Sequence, residues 1–291
     1  MGKSPSLANL TGPFKTLAEW HHKWRWSRRN IQKLRTADAV VVSHTKSGRT
    51  WLRVMISYLY HLEYGTPANE VISFDNLHAL NPAIPRIYFT RDTNVPLFLP
   101  GRTHEQVAND KKVLFLLRDP RDAAVSFYFH VLNRASEREM IRKGIDHEAR
   151  SLPLYEFVID EKLGVSRVIQ HYNRWLEEMK SLSHTLVVKY EDLRADPVTS
   201  LGRIMEFLDH SSSHEDLVKA VEFASFDSLS RKEKEGFFSS GRMRPADPEE
   251  AGSFKVRRGK VGGYRDYFTA EQNDRIDALV REQLHPFFGY S

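Results

Sequence analysis

The 291-residue chain has no cysteine, which removes disulfide frameworks, cysteine-ligated zinc, iron–sulfur clusters and thiol nucleophiles together. Glycine (15) and proline (13) are sparse, so collagen-like and low-complexity architectures are excluded. Long apolar runs are missing as well. Val113-Leu114-Phe115-Leu116-Leu117 falls far short of the roughly 20 residues a membrane helix needs. The opening Met1-Gly2-Lys3-Ser4-Pro5-Ser6 carries no apolar signal core, and the expectation is a soluble, cytoplasmic protein. What is present is a globular composition, 41% hydrophobic and 28% charged, on a chain long enough to bury a full core. Lys and Arg (43) exceed Asp and Glu (38), for a net charge of +5, which favours an anionic partner.

Three apolar runs without alternation, Asp38–Ser43, Lys112–Leu117 and Thr185–Tyr190, suit strands buried on both faces of a parallel sheet. Apolar spacings of three and four predict helices from Trp51 to Leu62, Arg121 to Met140, Ser166 to Met179, Pro197 to Leu208 and Ala270 to Leu284. Asp196 is a helix cap with a proline behind it. The alternation predicts an α/β fold: a single domain over 38–291 with a central, largely parallel sheet flanked by helices. Ligands bind such a sheet beyond the carboxyl ends of its strands. Residues 1–37 form a basic, aromatic arm in which Trp20, Trp24 and Trp26 interleave with Lys23, Arg25 and Arg28. It reads either as an amphipathic helix making peripheral membrane contact or as a helix packed on the core. Arg231–Lys255 lacks an apolar period and predicts a long loop or lid.

His44-Thr45-Lys46-Ser47-Gly48-Arg49-Thr50-Trp51 joins the first strand to a helix. A short loop with a lysine, hydroxyls and a glycine, opening a helix, builds a phosphate cradle: free N–H groups point at the anion and the helix dipole favours its charge. The order is not G-x-x-x-x-G-K-[ST], because the glycine follows the lysine, so an ATP-dependent phosphotransferase loses its main support. By itself the segment also fits a helix capped by Ser47 or Thr50 beside an exposed lysine. At the end of the second strand stands Arg118, and Ser126 follows eight residues on, two turns into the next helix. A guanidinium fork and a hydroxyl from one βα unit can grip a second phosphate; pairing of Arg118 with Asp119 or Asp122 is the alternative. Arg257-Arg258-Gly259-Lys260-Val261-Gly262-Gly263-Tyr264 joins two guanidiniums to glycines that let a backbone approach a ligand, or forms a basic surface turn. Together the three segments describe one ligand with two separated phosphate-like groups.

The chain at this point resembles the cytosolic-type sulfotransferases. The residues that carry the resemblance are Lys46-Ser47-Gly48-x-Thr50-Trp51, Arg118-Asp-Pro-Arg-Asp-x-x-x-Ser126, Tyr190-Glu191-Asp192-Leu193-x-x-Asp196-Pro197 and Arg257-Arg258-Gly259-x-x-Gly262-Gly263-Tyr264. Their order and spacing match from about residue 38 to 270. The resemblance implies transfer of a sulfuryl group from 3′-phosphoadenosine 5′-phosphosulfate (PAPS), leaving PAP, to a hydroxyl or amine acceptor. It assigns Lys46, Ser47, Gly48, Thr50 and Trp51 to a P-loop-like phosphosulfate loop and adenine wall, with Arg49 where the family usually has Thr. It assigns Arg118, Ser126, Arg257, Arg258 and Gly259 to the 3′-phosphate, and Tyr190 and Phe226 to the adenine. Lys46 would stabilise charge building on the leaving oxygen. No metal is demanded, and the 13 His form no ligand motif.

Relatives usually carry a His as base in a Lys-Thr-His segment, and Arg91 takes that slot here. An arginine does not serve as a base. Asp92 ranks first as base, with His104 and then His78 behind; a PAPS- or PAP-binding protein that has lost catalysis is the alternative. The acceptor is expected to be a small, hydrophobic or lipid-like molecule shaped by the segments Leu62–Pro100, Asn133–Tyr155 and Arg231–Lys255. Tyr60, Phe74, Tyr88, Phe89, Phe98, Phe129, Phe237 and Phe238 are its candidate lining. No nucleic-acid partner is expected, and no motif speaks to oligomeric state.

Overall fold

In the computed structural model, residues 29–72, 77–91, 110–243 and 259–290 are described. Four strands, β1 (Ala39–Ser43), β2 (Ile87–Thr90), β3 (Lys112–Leu117) and β4 (His184–Lys189), form one sheet in the order β2-β1-β3-β4. Every pairing is parallel, with Val41 opposite Phe89 and Leu114, and Leu114 opposite Leu186. Parallel neighbours need a crossover. Between the strands lie α1 (Arg49–Tyr64), after β1, and α2 (Pro120–Asn133), α3 (Glu137–Lys143), α4 (Leu154–Ile159) and α5 (Val165–Met179), after β3; α6 (Tyr190–Ala195), α7 (Pro197–Phe207), α8 (His214–Phe223), α9 (Phe226–Lys234) and α10 (Ala270–Gln283) follow β4.

The pleat divides the core into two layers. Val40, Val42, Val113, Phe115 and Leu117 face one way, onto Ala124 of α2, Tyr172 and Trp175 of α5 and Ile276 of α10. Val41, Leu114 and Leu116 face the other, onto Met55 and Leu59 of α1, Ile204 of α7 and Ala220 of α8. Both faces are covered, which is why β1 and β3 read as continuous apolar runs. The chain is helical over 29–36, where Ile31 and Leu34 pack into the first layer. Residues 1–28 of the arm, with Trp20, Trp24 and Trp26, lie outside the described residues.

Three expectations change. The helix foreseen from Arg121 to Met140 is two helices: α2 stops at Asn133, and the Ser136 hydroxyl accepts from the Glu139 N–H to start α3. The loop foreseen from residue 231 begins later, because α9 runs to Lys234 and buries Glu233. Strand β2 is an addition, a four-residue edge strand too short to show a period. Among the described residues, no helix is long and apolar enough to cross a membrane.

Candidate active site

The four strand ends share one edge of the sheet, so the residues just beyond them meet: His44–Gly48 after β1, Arg91 after β2, Arg118 after β3 and Tyr190 after β4. They border a cavity of about 900 Å³ whose wall includes Lys46, Gly48, Arg49, Thr50, Trp51, Arg118, Ser126, Tyr190, Phe226 and Gly259. Ser47 is fully buried beneath it.

The loop after β1 folds tightly. Lys46 has φ 72 and Gly48 has φ 87, so two residues of three take the left-handed conformation. Gly48 is the N-cap of α1 and supplies no side-chain cap to the first-turn N–H groups, the arrangement at which helix N-termini can accept an anion. A Cβ on Gly48 would stand 2.6 Å from Cδ2 of Tyr190, so the aromatic ring fits only because position 48 has no side chain.

Arg118 is held from several sides. Its backbone N–H donates to the Tyr172 hydroxyl (3.0 Å), which donates to the Arg118 carbonyl (2.8 Å). The guanidinium donates to the carbonyls of Lys46 (3.2 Å) and Lys260 (3.3 Å) and lies 4.6 Å from the centre of the Tyr190 ring. Of its two candidate partners, Asp122 is 3.6 Å away, while Asp119 is engaged by Arg121 at 2.8 Å. Asp122 also accepts from the N–H groups of Gly262 (2.8 Å) and Tyr264 (2.9 Å), which fastens the late glycine segment to the first turn of α2. Burial raises the pKa of its carboxyl, against the pull of Arg118. Arg121 is a strut, joining Asp119 to Asp277 of α10.

The aromatic wall assembles from three elements. Trp51 donates its indole N–H to the Ala224 carbonyl (2.9 Å) and meets Tyr190 edge-on at 5.7 Å between centroids. Phe226 opens α9, and a Cβ on Gly259 (φ +62) would lie 3.3 Å from its ring. Arg257 and Arg258 lie outside the described residues, as do Asp92 and His104.

The other end of the cavity is polar in a way the sequence reading missed. Arg49 donates to the Ser43 hydroxyl (3.2 Å) and the Thr90 carbonyl (2.9 Å), tying the loop to β2. Beyond it, Glu139 of α3 gathers three partners: Arg91 (3.5 Å), His130 of α2 (3.0 Å) and Lys143 (2.7 Å). Arg91, His130 and Glu139 all line the cavity. Burial lowers the pKa of His130 to about 4 despite the hydrogen bond to Glu139. Burial likewise lowers Lys143 to about 7, and Glu139 is held well below the carboxylate range by His130 and Lys143 even though burial opposes this. His130 lies four residues after Ser126, on the same helix face, and both line the cavity; that spacing is the one sequence signal for it. His78 instead donates from Nδ1 to the Ile84 carbonyl (2.7 Å), closing a turn.

Each segment expected to shape the acceptor reaches the wall, through Tyr88 and Phe89, Arg134 and Glu139, and Met243. Several expected lining residues do not. Tyr60 and Phe238 are buried in the second layer, Phe237 packs on Phe223, and Phe129 packs on Tyr267. Core packing absorbs them. Phe74 and Phe98 lie outside the described residues.

A parallel sheet with an anion cradle, an arginine and an aromatic wall at its strand ends, next to a second compartment, is the layout of a nucleotide-dependent group-transfer enzyme. Residues 36–288 match the sulfotransferase domain, and the chain belongs to that family of sulfotransferase enzymes. It is similar to cytosolic sulfotransferase 16 of Arabidopsis thaliana, with 27% identity covering 86% of this chain and 77% of that one. It is also similar to the amine sulfotransferase of Oryctolagus cuniculus (24%, covering 88% and 83%) and to the 3-alpha-hydroxysteroid sulfotransferase of Cavia porcellus (25%, covering 85% and 83%). Among solved structures, a mouse sulfotransferase complexed with PAP superposes with a TM-score of 0.57 at 22% identity, covering 88% of both chains. A retinol dehydratase in complex with androsterone and PAP superposes at 0.56 and 18%, covering 90% of this chain and 85% of that one.

Proposed function

We propose that this protein transfers a sulfuryl group from PAPS to the hydroxyl or amine of a small acceptor with an apolar body, in the cytoplasm. The observation that carries the reading is convergence: Lys46, Arg118, Ser126, Trp51, Tyr190, Phe226 and Gly259 come from separate elements and border one cavity. Their chemistry fits an adenine nucleotide with an anion at each end. Gly48 leaves no room for a side chain between loop and ring, Gly259 keeps the backbone close to Phe226, and Lys46 and Arg118 line the same cavity as the aromatic wall.

When bound, PAPS supplies a sulfuryl group on a phosphate leaving group. Lys46, in the cradle, holds its ammonium where leaving-group charge develops, and the first-turn N–H groups of α1 add preorganised donors. Arg118 and Ser126 bind the 3′-phosphate, helped by Arg257 and Arg258. Trp51, Tyr190 and Phe226 grip the base by stacking. Tyr88 and Phe89 give the acceptor an apolar seat. The test is incubation with radiolabelled PAPS and either 2-naphthol or aniline. Labelled sulfo product from one of them is expected, and PAP binding with no product from any hydroxyl or amine would instead identify a binding protein without turnover.

A further inference from the structure

The histidine that relatives usually carry as base is replaced here by Arg91, yet the structure puts an imidazole elsewhere along the same cavity. Arg91 follows β2, and its guanidinium stands 3.5 Å from Oε1 of Glu139. The same oxygen is 3.0 Å from Nε2 of His130, on α2. One carboxylate thus sits between the arginine and a histidine, and all three line the cavity that holds Lys46. A carboxylate accepts only from an N–H, so Nε2 carries the ring proton and the lone pair of the neutral ring lies on Nδ1. This is the orienter and base arrangement of general-base catalysis, a histidine whose far nitrogen is fixed by a half-buried acid.

Resting on the sulfotransferase reading, we propose that His130 is the general base that takes the acceptor proton, with Glu139 as its positioning residue and Arg91 anchoring Glu139. The proton of the acceptor O–H or N–H passes to Nδ1 of His130. The freed pair forms the new bond to sulfur, and the sulfur–oxygen bond to the nucleotide breaks with its electrons on the phosphate oxygen. The imidazolium then returns the proton to solvent. The charge environment sets the protonation state of the resting ring. The groups that face His130 are Glu139 and Lys143 from α3 and Lys46 from the loop, and Arg91 reaches the same carboxylate from β2. Burial, reinforced by Lys46 and Lys143, keeps the ring neutral at pH 7 with its lone pair free, and Glu139 is the group that opposes them and stabilises the imidazolium formed when the acceptor proton arrives.

The test pairs two variants with a readout that needs no acceptor. In His130→Gln, kcat for sulfonation of 2-naphthol is expected to fall about 100-fold or more while PAP affinity stays within about twofold. Glu139→Gln is expected to lower kcat by about tenfold or more, with KM for PAPS unchanged. In parallel, 15N NMR of the PAP-bound protein reads the His130 ring directly. A ring neutral at pH 7 with its proton on Nε2 is expected, and Glu139→Gln should disturb that tautomer. A His130→Gln variant within threefold of the parent kcat overturns the assignment while leaving the sulfotransferase reading intact. A ring that is cationic at pH 7, or protonated on Nδ1, overturns it whatever the turnover. A parent protein that does not bind PAP overturns the reading and this inference together, and is recognised because the failure precedes any substitution.

Discussion

Gly48→Ala separates two costs that the loop imposes. The first is conformational: φ is 87 at position 48, and a side chain in the left-handed region costs about 1–2 kcal/mol. The second is steric, because the new Cβ would stand 2.6 Å from Tyr190 Cδ2, and Tyr190 is buried with Arg118 stacked on its ring. Overpacking of this kind costs about 1–3 kcal/mol more. Gly65, at the other end of the same helix, is the control. Its φ is 65 and nothing lies within 4 Å of its Cβ position, so Gly65→Ala carries the first cost alone. Urea denaturation should therefore rank Gly48→Ala below Gly65→Ala by about 1–3 kcal/mol. In a Tyr190→Ala background the two should converge, as a double-mutant cycle reports for groups in contact. Moving Tyr190 also moves the ring under Arg118, so PAP affinity should fall in Gly48→Ala and hold in Gly65→Ala. Equal destabilisation by the two alanines in the parent would refute the packing argument.

Three further outcomes are expected. If the Lys46 ammonium acts on charge that develops in the transition state, as proposed, Lys46→Ala should lower kcat by about 100-fold or more while PAP affinity falls far less; equal losses in turnover and calorimetry would make it only a binding residue. Arg118→Ala should erase the preference for a 3′-phosphorylated nucleotide, read as the ratio of PAP to adenosine 5′-phosphate affinities, and a preserved ratio would move that subsite elsewhere. Stability should drop on acidification. Burial lowers the pKa of His44 from 6.5 to about 3, that of His130 to about 4, and that of His171 well below its ordinary value. The unfolded chain therefore binds more protons below pH 6.5, and stability is lost as pH falls from about 6.5 toward 4, by roughly 2–3 kcal/mol for His130 alone. A urea midpoint unchanged between pH 7 and pH 4.5 would contradict the buried neutral histidines.

How much was legible in the chain follows from where its signals are local. β1, β3 and β4 stood out because sheets covered on both faces need unbroken apolar strands, and the three segments agree with the structure to within a residue. The placement of the Lys46–Thr50 loop and of Arg118 at one cavity was legible because each is a strand end running into a helix. β2 was not, since four residues between Arg86 and Arg91 show no period. The break after Asn133 depends on a cap at Ser136 inside an apolar pattern that continues through it. Glu139 and His130 escaped notice for a related reason: nine residues and a helix break separate them, and only the turn of α3 back toward α2 brings the carboxylate to the ring. The aromatic acceptor lining failed in part because Tyr60 and Phe238 satisfy core packing and the lining pattern equally well, and burial alone distinguishes the two.

The central claim is that the strand-end cavity is built for a nucleotide phosphorylated at both the 5′ and 3′ positions. Calorimetric titration of the full chain with PAP, and in parallel with adenosine 5′-phosphate, tests it most directly. A preference for PAP of tenfold or more, at least ~1.4 kcal/mol, is expected from a site in which Arg118 and Ser126 hold the second phosphate. Equal affinity for the two nucleotides, or binding of neither, would contradict it.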